Sequence, residues 1–517
     1  MIQSHILWVD DEVDSLRSHI VSLESNGYRI SPVTNGDDAV DAVRRGGIDL
    51  VLLDEMMTGL GGVETLRLLR EMAPGLPVVM VTKVEDEELM NRAYEARADD
   101  FLIKPVRPSQ VLAVVKRFLE TERIVGAGIR RDYGQGMAEL LRRVDQKPSP
   151  AEWADIAGWL FRRQVELDGL GDVGLASSHA DARREANRAF FREASRQYPH
   201  WLSDPGEVVF SHQIMSRSVE PLLVKGEQVL LVVLDCLRLD QWMVIEPLLR
   251  ETFAIETRPG MALVPTATPY SRNAIFAGLL PVDIRRAHPE WWEDDPRVGG
   301  SLNRHEHALM DAALRRSGLK KSTRYERVDG GPEAQKCADQ MSSRGDVDLY
   351  ALVYGFVDVL VHKRVESQVL SELTSTEAAF RDLTLTWFTH SALLQIFRAA
   401  AQAGRTIVVT SDHGSVSVAR STRVVGDRST STAVRYKSGR NIRCDKRHAI
   451  DIRAPETWGL PQLGFNWNYL VAGEDHFFVY PNHQRQFERR LSDTLQHGGV
   501  SLEEMIVPLA VLRPRGR

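Results

Sequence analysis

What most limits how this chain can fold is a set of short apolar runs that stop abruptly on a polar residue. Val229 to Leu234 is rich in β-branched side chains and ends at Asp235, and Ile407 to Ser411 runs into Asp412-His413-Gly414. Nearer the start, Ile6 to Val9 leads into Asp10-Asp11-Glu12, and Asp49 to Leu53 into Asp54. Pro77 to Val81 leads into Thr82, and Asp100 to Ile103 into Lys104-Pro105. Continuous apolar runs of this length read as strands buried on both faces of a parallel sheet. Open α/β sheets bind ligands at the carboxyl edge, where these polar residues fall. Any one of them, alone, serves equally well as a helix cap or turn residue.

Over residues 1–120 strands alternate with amphipathic helices, and four strand ends bring acids, a hydroxyl and an ammonium to one edge. Clustered carboxylates at Asp10, Asp11 and Asp54 suit a hard divalent cation such as Mg²⁺. The cation and Lys104 are placed to stabilise a phosphoryl group on one carboxylate. This stretch resembles a two-component receiver domain, a doubly wound, flavodoxin-like fold. The resemblance implies that Asp54 is the phosphoacceptor and that Asp10 and Asp11 form the acidic pair, with Asp11 a direct Mg²⁺ ligand. It also makes Thr82 the switch hydroxyl, Phe101 the switch aromatic and Lys104 the phosphate-pairing lysine. A sensor histidine kinase is the implied partner, and the face from Glu85 to Leu119 the implied surface for a homodimer formed on phosphorylation.

From 121 to 222 strand-like runs vanish. Apolar residues recur at three and four, including Trp153, Ile156, Leu160, Phe190, Phe191 and Tyr198, which is the spacing of a helical-bundle face. An all-α connector without chemistry of its own is expected here.

Residues 223–517 carry the second α/β pattern and a scattered inventory of ligands. After Pro265 come Thr266, Thr268, Arg272 and Asn273, where a helix N-terminus and an arginine can hold an anion. Asp358 and His362 stand four apart, on one face of a helix, and His497 lies in a glycine-rich turn. Carboxylates and imidazoles without thiolates form a two-metal set that suits zinc, then manganese or magnesium. These motifs resemble the alkaline phosphatase superfamily, most closely its PglZ branch. By that resemblance one zinc is held by Asp235, Thr268, Asp412 and His413, and the other by Asp358, His362 and His497. Thr268, ten residues before Gly278, occupies the nucleophile position, and Arg272 and Asn273 contact the non-bridging oxygens. A threonine there resembles the superfamily's phosphodiesterases more than its monoester phosphatases.

The segment 415–461 is basic, with Arg435, Lys437, Arg440, Arg443, Lys446 and Arg453 among its ten bases. On a chain of net charge −6 it reads either as a polyanion guide or as a solvated loop. Trp467 and Tyr469, just beyond it, suit base stacking or core burial equally. Cys236, Cys337 and Cys444 form no CxxC pair. The N-terminus has no basic-then-apolar pattern, and no run reaches membrane-spanning length, so a cytoplasmic protein is expected. Receiver, connector and PglZ-type domain in this order resemble PorX-type response regulators. That resemblance implies a phosphorylation-controlled zinc phosphodiesterase acting on short or cyclic oligonucleotides. The same motifs fit a second class, an adaptor that binds a regulatory protein such as a sigma factor.

Overall fold

The computed structural model describes residues 4–82, 96–119, 121–170, 172–292, 302–341, 347–426, 433–481 and 484–515. It divides into two compact units, Met1–Tyr133 and Gly134–Arg517. In the first, β1 (His5–Val9), β2 (Arg29–Val33), β3 (Leu50–Asp54), β4 (Val78–Thr82) and β5 (Asp100–Ile103) form a parallel sheet in the order β2-β1-β3-β4-β5. That is the doubly wound order, with its switch point between β1 and β3. Strand alternation sends Leu7, Val9, Val51 and Leu53 to one face, where Ala39 and Leu66 cover them. Ile6, Trp8, Leu50 and Leu52 go to the other, under Val111 and Val115. Both faces are thereby dry, as a parallel sheet requires.

The second unit is built on six strands: β6 (Val229–Leu234), β7 (Phe253–Met261), β8 (Thr323–Val328), β9 (Leu349–Tyr354), β10 (Thr406–Thr410) and a last strand, Ile506–Pro514. Their order is β7, the last strand, β10, β6, β9, β8, with the last strand antiparallel to both neighbours. Leu230, Val232 and Leu234 pack on one face with Phe388, Ile396 and Phe397. Val229, Leu231 and Val233 pack on the other with Ile275, Phe276 and Met310. Between β10 and the last strand lie β11 (Val416–Val418), β12 (Arg420–Val425), β13 (Tyr436–Arg440), β14 (Arg443–Cys444), β15 (Ala449–Ile452), β16 (Trp467–Ala472), β17 (His476–Val479) and β18 (Thr494–Gln496). They pair as β11-β18, β14-β12-β17 and β13-β16-β15.

The helices expected to form a separate connector belong largely to this second unit. The helix Pro150–Asp168 starts from a capping box in which Ser149 and Glu152 satisfy each other's backbone N–H groups. It and the helix Val173–Ser203 bury Trp153, Phe190 and Tyr198 against Leu263, Val264, Tyr469 and Ile506. The Val264 N–H donates to the Tyr198 hydroxyl at 2.9 Å. Gly473 lies so close to the Phe191 ring that a Cβ there would stand 2.3 Å from it. A three-four apolar period states that a helix face is buried, not whether helices or a sheet edge bury it. No helix among the described residues is long and apolar enough to cross a membrane.

Candidate active site

Three adjacent parallel strands, β10, β6 and β9, deliver most of the expected ligands to one edge. Asp235 follows β6 and Asp412-His413 follow β10. The helix Phe356–Glu366, after β9, carries Asp358 and His362. His497 arrives from the turn after β18, and Thr268 is the first residue of the helix Thr268–Ala277. Two groups result, each with ligand atoms within 4.8 Å of one another: Asp235, Asp412 and His413, and Asp358, His362 and His497. Thr268 Oγ1 lies 3.1 Å from His413 Nε2. The rings of His413 and His497 stack with centroids 4.2 Å apart, so the two groups are neighbours.

These groups fit divalent cations. Asp235 Oδ1 and Asp412 Oδ2 are buried with no hydrogen-bond partner among the described residues, a costly arrangement unless an ion takes them. His413 Nε2 is 3.7 Å from Asp412 Oδ2 and 4.0 Å from Asp235 Oδ1. Asp358 Oδ1 is 3.3 Å from His362 Nε2 and 3.8 Å from His497 Nε2. Tetrahedral ligands at zinc's ~2.0–2.1 Å bond length stand roughly 3.3 Å apart, so little closure is needed. Two of the imidazoles are oriented from behind: buried His413 at Nδ1 by the Gly414 carbonyl at 3.1 Å, part-buried His497 at Nδ1 by the Thr266 carbonyl at 3.3 Å. That leaves both Nε2 lone pairs facing the acids.

The electrostatics agree. Burial, then the Asp412 carboxylate, pushes Asp235 up to about 8 against the pull of Arg272. Burial lifts Asp412 to about 6. Burial and the neighbouring His413 push His497 down to about 3, and burial lowers His413. Although burial opposes it, contact with His362 and His497 brings Asp358 down to about 2. Neutral imidazoles are the ligating form, and a dication reverses the repulsion between the carboxylates.

Arg272 and Asn273, expected to contact the non-bridging oxygens, each bond to groups of the protein itself. The Arg272 guanidinium is buried, donating from Nε to Glu306 Oε1 at 2.7 Å and from Nη1 to Asp235. These hydrogen bonds fix the Asp235 carboxylate in place. Asn273 donates its amide to the carbonyls of Pro269 and Leu302, at 2.9 and 3.2 Å. Thr266 is fully buried; its hydroxyl donates to the Gly499 carbonyl at 2.8 Å and accepts from the Gly498 N–H at 3.1 Å. Thr266 therefore ties down the turn after His497, and Thr268 alone of the pair faces the ligands.

Two sets of residues carried no sequence signal. Glu306, buried behind Arg272, also accepts from the Tyr325 hydroxyl. An ion network with a buried centre runs from Asp168 through Arg381 and Asp240 to Arg238, then through Glu377 to Arg183; Arg381, Asp240 and Arg238 are its buried members. The Arg238 stem packs on Gly414, next to His413.

In the first unit Asp10, Asp11 and Asp54 also form a group with ligand atoms within 4.8 Å. Lys104 Nζ donates to Asp10 Oδ2 at 2.7 Å and Asp54 Oδ2 at 2.8 Å. Asp54 Oδ1 is buried without a partner among the described residues. Burial raises Asp54 while Lys104 opposes; Lys104 itself is raised, since its bonds to both acids outweigh burial. Thr82 is buried at the end of β4, and Phe101 is half-buried on β5.

Comparison with known proteins decides the family. The family model described as the BREX system PglZ alkaline phosphatase-like domain matches residues 214–512, more than half of the chain. The chain belongs to the PglZ family. The response regulator receiver domain model matches residues 6–116, so a receiver stands in front of the PglZ domain. Among curated proteins, the transcriptional regulatory protein ResD of Bacillus subtilis is 37% identical over 117 residues, 23% of this chain and 48% of ResD. The phosphoglycerate transport system regulatory protein PgtA of Salmonella typhimurium is 31% identical over 164 residues, 30% of this chain and 39% of PgtA. The chain thus spans less than half of either relative. Among solved structures, the chemotaxis protein CheY4 of Vibrio cholerae is 22% identical, with a TM-score of 0.22, covering 23% of this chain and all of that one. The PglZ domain holds the two acid-imidazole groups and Thr268; the receiver holds Asp10, Asp11, Asp54 and Lys104.

Proposed function

We propose that this protein is a response regulator whose PglZ domain is a two-zinc phosphodiesterase, controlled by phosphorylation of Asp54 and acting on short or cyclic oligonucleotides. The observation that carries the reading is Thr268, its hydroxyl 3.1 Å from His413 Nε2 in one acid-imidazole group, the His413 ring in turn stacking on His497 of the other. Asp235, Asp412 and His413 with Thr268 would hold one zinc, and Asp358, His362 and His497 the other. Zinc held there would supply Lewis-acid chemistry: a lowered pKa for the hydroxyl, stabilisation of the leaving oxygen and activation of water. Thr268 Oγ, its proton lost, would attack phosphorus as the P–O bond to one esterified alcohol breaks and that alcohol leaves; water would then cleave the Thr268–phosphorus ester, releasing the monoester and restoring the hydroxyl, so that one displacement becomes two. Arg272 and Glu306 keep Asp235 in position, and the carbonyls of Gly414 and Thr266 hold the two imidazoles in their ligating tautomers. In the receiver, Lys104 between Asp10 and Asp54 supports phosphorylation of Asp54 with Mg²⁺ bound, by a sensor histidine kinase.

The test is metal analysis of the purified protein together with turnover of bis(p-nitrophenyl) phosphate against p-nitrophenyl phosphate. About two zinc ions per chain and a preference for the diester are expected. A metal-free protein that turns over neither compound would fit the adaptor instead.

A further inference from the structure

The sheet β13-β16-β15 lies beside the candidate active site at one end and reaches the basic surface at the other. At the near end stands Tyr436, against the turn that carries His497: a Cβ at Gly498 would lie 2.8 Å from its ring. At the far end of β13 is exposed Arg440, paired in register with Trp467 on β16. There a cavity of about 170 Å³ is lined by Asn441, Arg443, Arg453, Asn466, Trp467 and Asn468. Asn441 and Asn466 both take the left-handed backbone, with φ of 49° and 58°, and the Asn441 N–H donates to the Asn466 carbonyl at 3.0 Å. These paired turns form the cavity's rim.

Its chemistry is specific. Trp467 is half-buried, and its indole N–H has no partner among the described residues. Phe465 beside it is 87% exposed. Arg443 is exposed and makes no side-chain hydrogen bond or ion pair among the described residues, whereas Arg453 is exposed and shares Asp451 at 2.8 Å. Tyr469, the other aromatic of this strand, is buried with its hydroxyl donating to the Pro461 carbonyl at 2.9 Å, so it belongs to the core. Ligand pockets for whole small molecules run to ~300–1,000 Å³; this one suits a single base or phosphate. Aromatic rings beside guanidinium groups are how sequence-tolerant sites hold single strands.

We propose that this cavity is an oligonucleotide subsite, in which Trp467 stacks a base while Arg443 and Arg453 hold the flanking phosphates, with exposed Phe465, two residues before Trp467 in the chain, offering a second stacking face, and that β13 marks the path from it to Thr268. This rests on the diesterase reading for its choice of substrate. Four residues of strand separate Tyr436 from Arg440, roughly 14 Å at ~3.4 Å each. A strand stacked at ~3.4 Å per nucleotide covers that span in about four nucleotides, and in fewer when stretched. Tetranucleotides and longer strands gain the subsite, and dinucleotides do not.

The test is fluorescence anisotropy with the full-length protein and fluorescein-labelled phosphorothioate oligodeoxynucleotides of two and six residues. Because it reads binding to a cleavage-resistant strand, it is independent of whether the protein turns over any diester. The hexamer should bind at least tenfold more tightly than the dimer. Arg443→Glu/Arg453→Glu should weaken the hexamer at least tenfold and flatten its slope of log affinity against log salt by about 1.4, two contacts at ~0.7 each. Phe465→Ala and Trp467→Leu should each weaken it about fivefold or more; Phe465 is exposed, so its variant tests stacking even if Trp467→Leu fails to fold. Hexamer binding that the arginine variant leaves unchanged would overturn the proposal. So would a hexaglutamate peptide that competes as well as unlabelled hexamer, since it has charge but no bases.

Discussion

Thr266 and Thr268 stand two residues apart, and their hydroxyls face different chemistry. Thr268→Ala should lower diester turnover by about 10³-fold or more, as expected for loss of a nucleophile, while the zinc content stays within a quarter of wild type. Thr266→Ala removes bonds to Gly498 and Gly499 and should cost about 1–3 kcal/mol of stability, with turnover reduced less than tenfold. Asp358→Ala leaves two imidazoles without a balancing charge and should release one zinc. Turnover by each variant, with zinc measured alongside, checks the assignment; an active Thr268→Ala beside a dead Thr266→Ala would reverse it. The grouping of these acids and imidazoles was legible in the sequence, because Asp235, Asp412 and His413 sit at strand ends and Asp358 and His362 share a helix face. The partners of Arg272 were not. Glu306 and Asp235 approach it from elements distant in sequence, and no local period encodes that meeting.

Among elements, the two long helices Pro150–Asp168 and Val173–Ser203 are bound to the catalytic sheet by charge as well as by apolar packing. Asp240, buried, accepts from Arg238 Nε at 2.9 Å and Nη2 at 2.6 Å, and from Arg381 Nη1 at 2.6 Å. Arg381 also reaches Asp168 at the end of the first helix, and Asn187 on the second donates to Glu503 at 3.0 Å. Both helices were legible from their three-four period and the Ser149 cap, but their docking partner was not. It is an ion network whose members span Asp168 to Glu503, and charged residues in a sequence read first as surface. Asp240→Asn leaves two buried guanidinium groups undercompensated, which costs about 3–5 kcal/mol. In a thermal scan the transition of the second unit should fall by about 6–10 °C, at ~2 °C per kcal/mol for a unit of this size. The receiver's transition should not move. A shift under 2 °C would mean that apolar packing alone fixes the helices.

At the scale of the whole molecule, the proposed control requires phosphorylation at Asp54 to act on Thr268 in a different compact unit, so on that reading some element with two states carries the signal. Lys104 is the first part that changes. It divides its bonds between Asp10 and Asp54, and a phosphoryl group on Asp54 draws it, with the Thr82 hydroxyl, toward the new oxygens. The receiver resemblance implies that Phe101 then follows Thr82 and remodels the face expected over 85–119. Within that face the helix Pro108–Leu119 is described, while 83–95 lies outside the described residues. A remodelled face that pairs with a second copy forms a two-fold dimer. If the proposed dimer brings the Arg440, Arg443 and Arg453 surfaces of two copies together, it lengthens the track available to a single strand and leaves the proposed metal-holding residues as they are. Light scattering should therefore show a doubled mass when beryllofluoride and Mg²⁺ are added, and no change in Asp54→Asn. Under the same conditions turnover of a hexanucleotide should rise at least fivefold more than turnover of bis(p-nitrophenyl) phosphate, because only the longer substrate meets both surfaces. If the mass stays that of one chain and both rates rise equally, the signal travels within a single chain and the paired-surface mechanism is wrong.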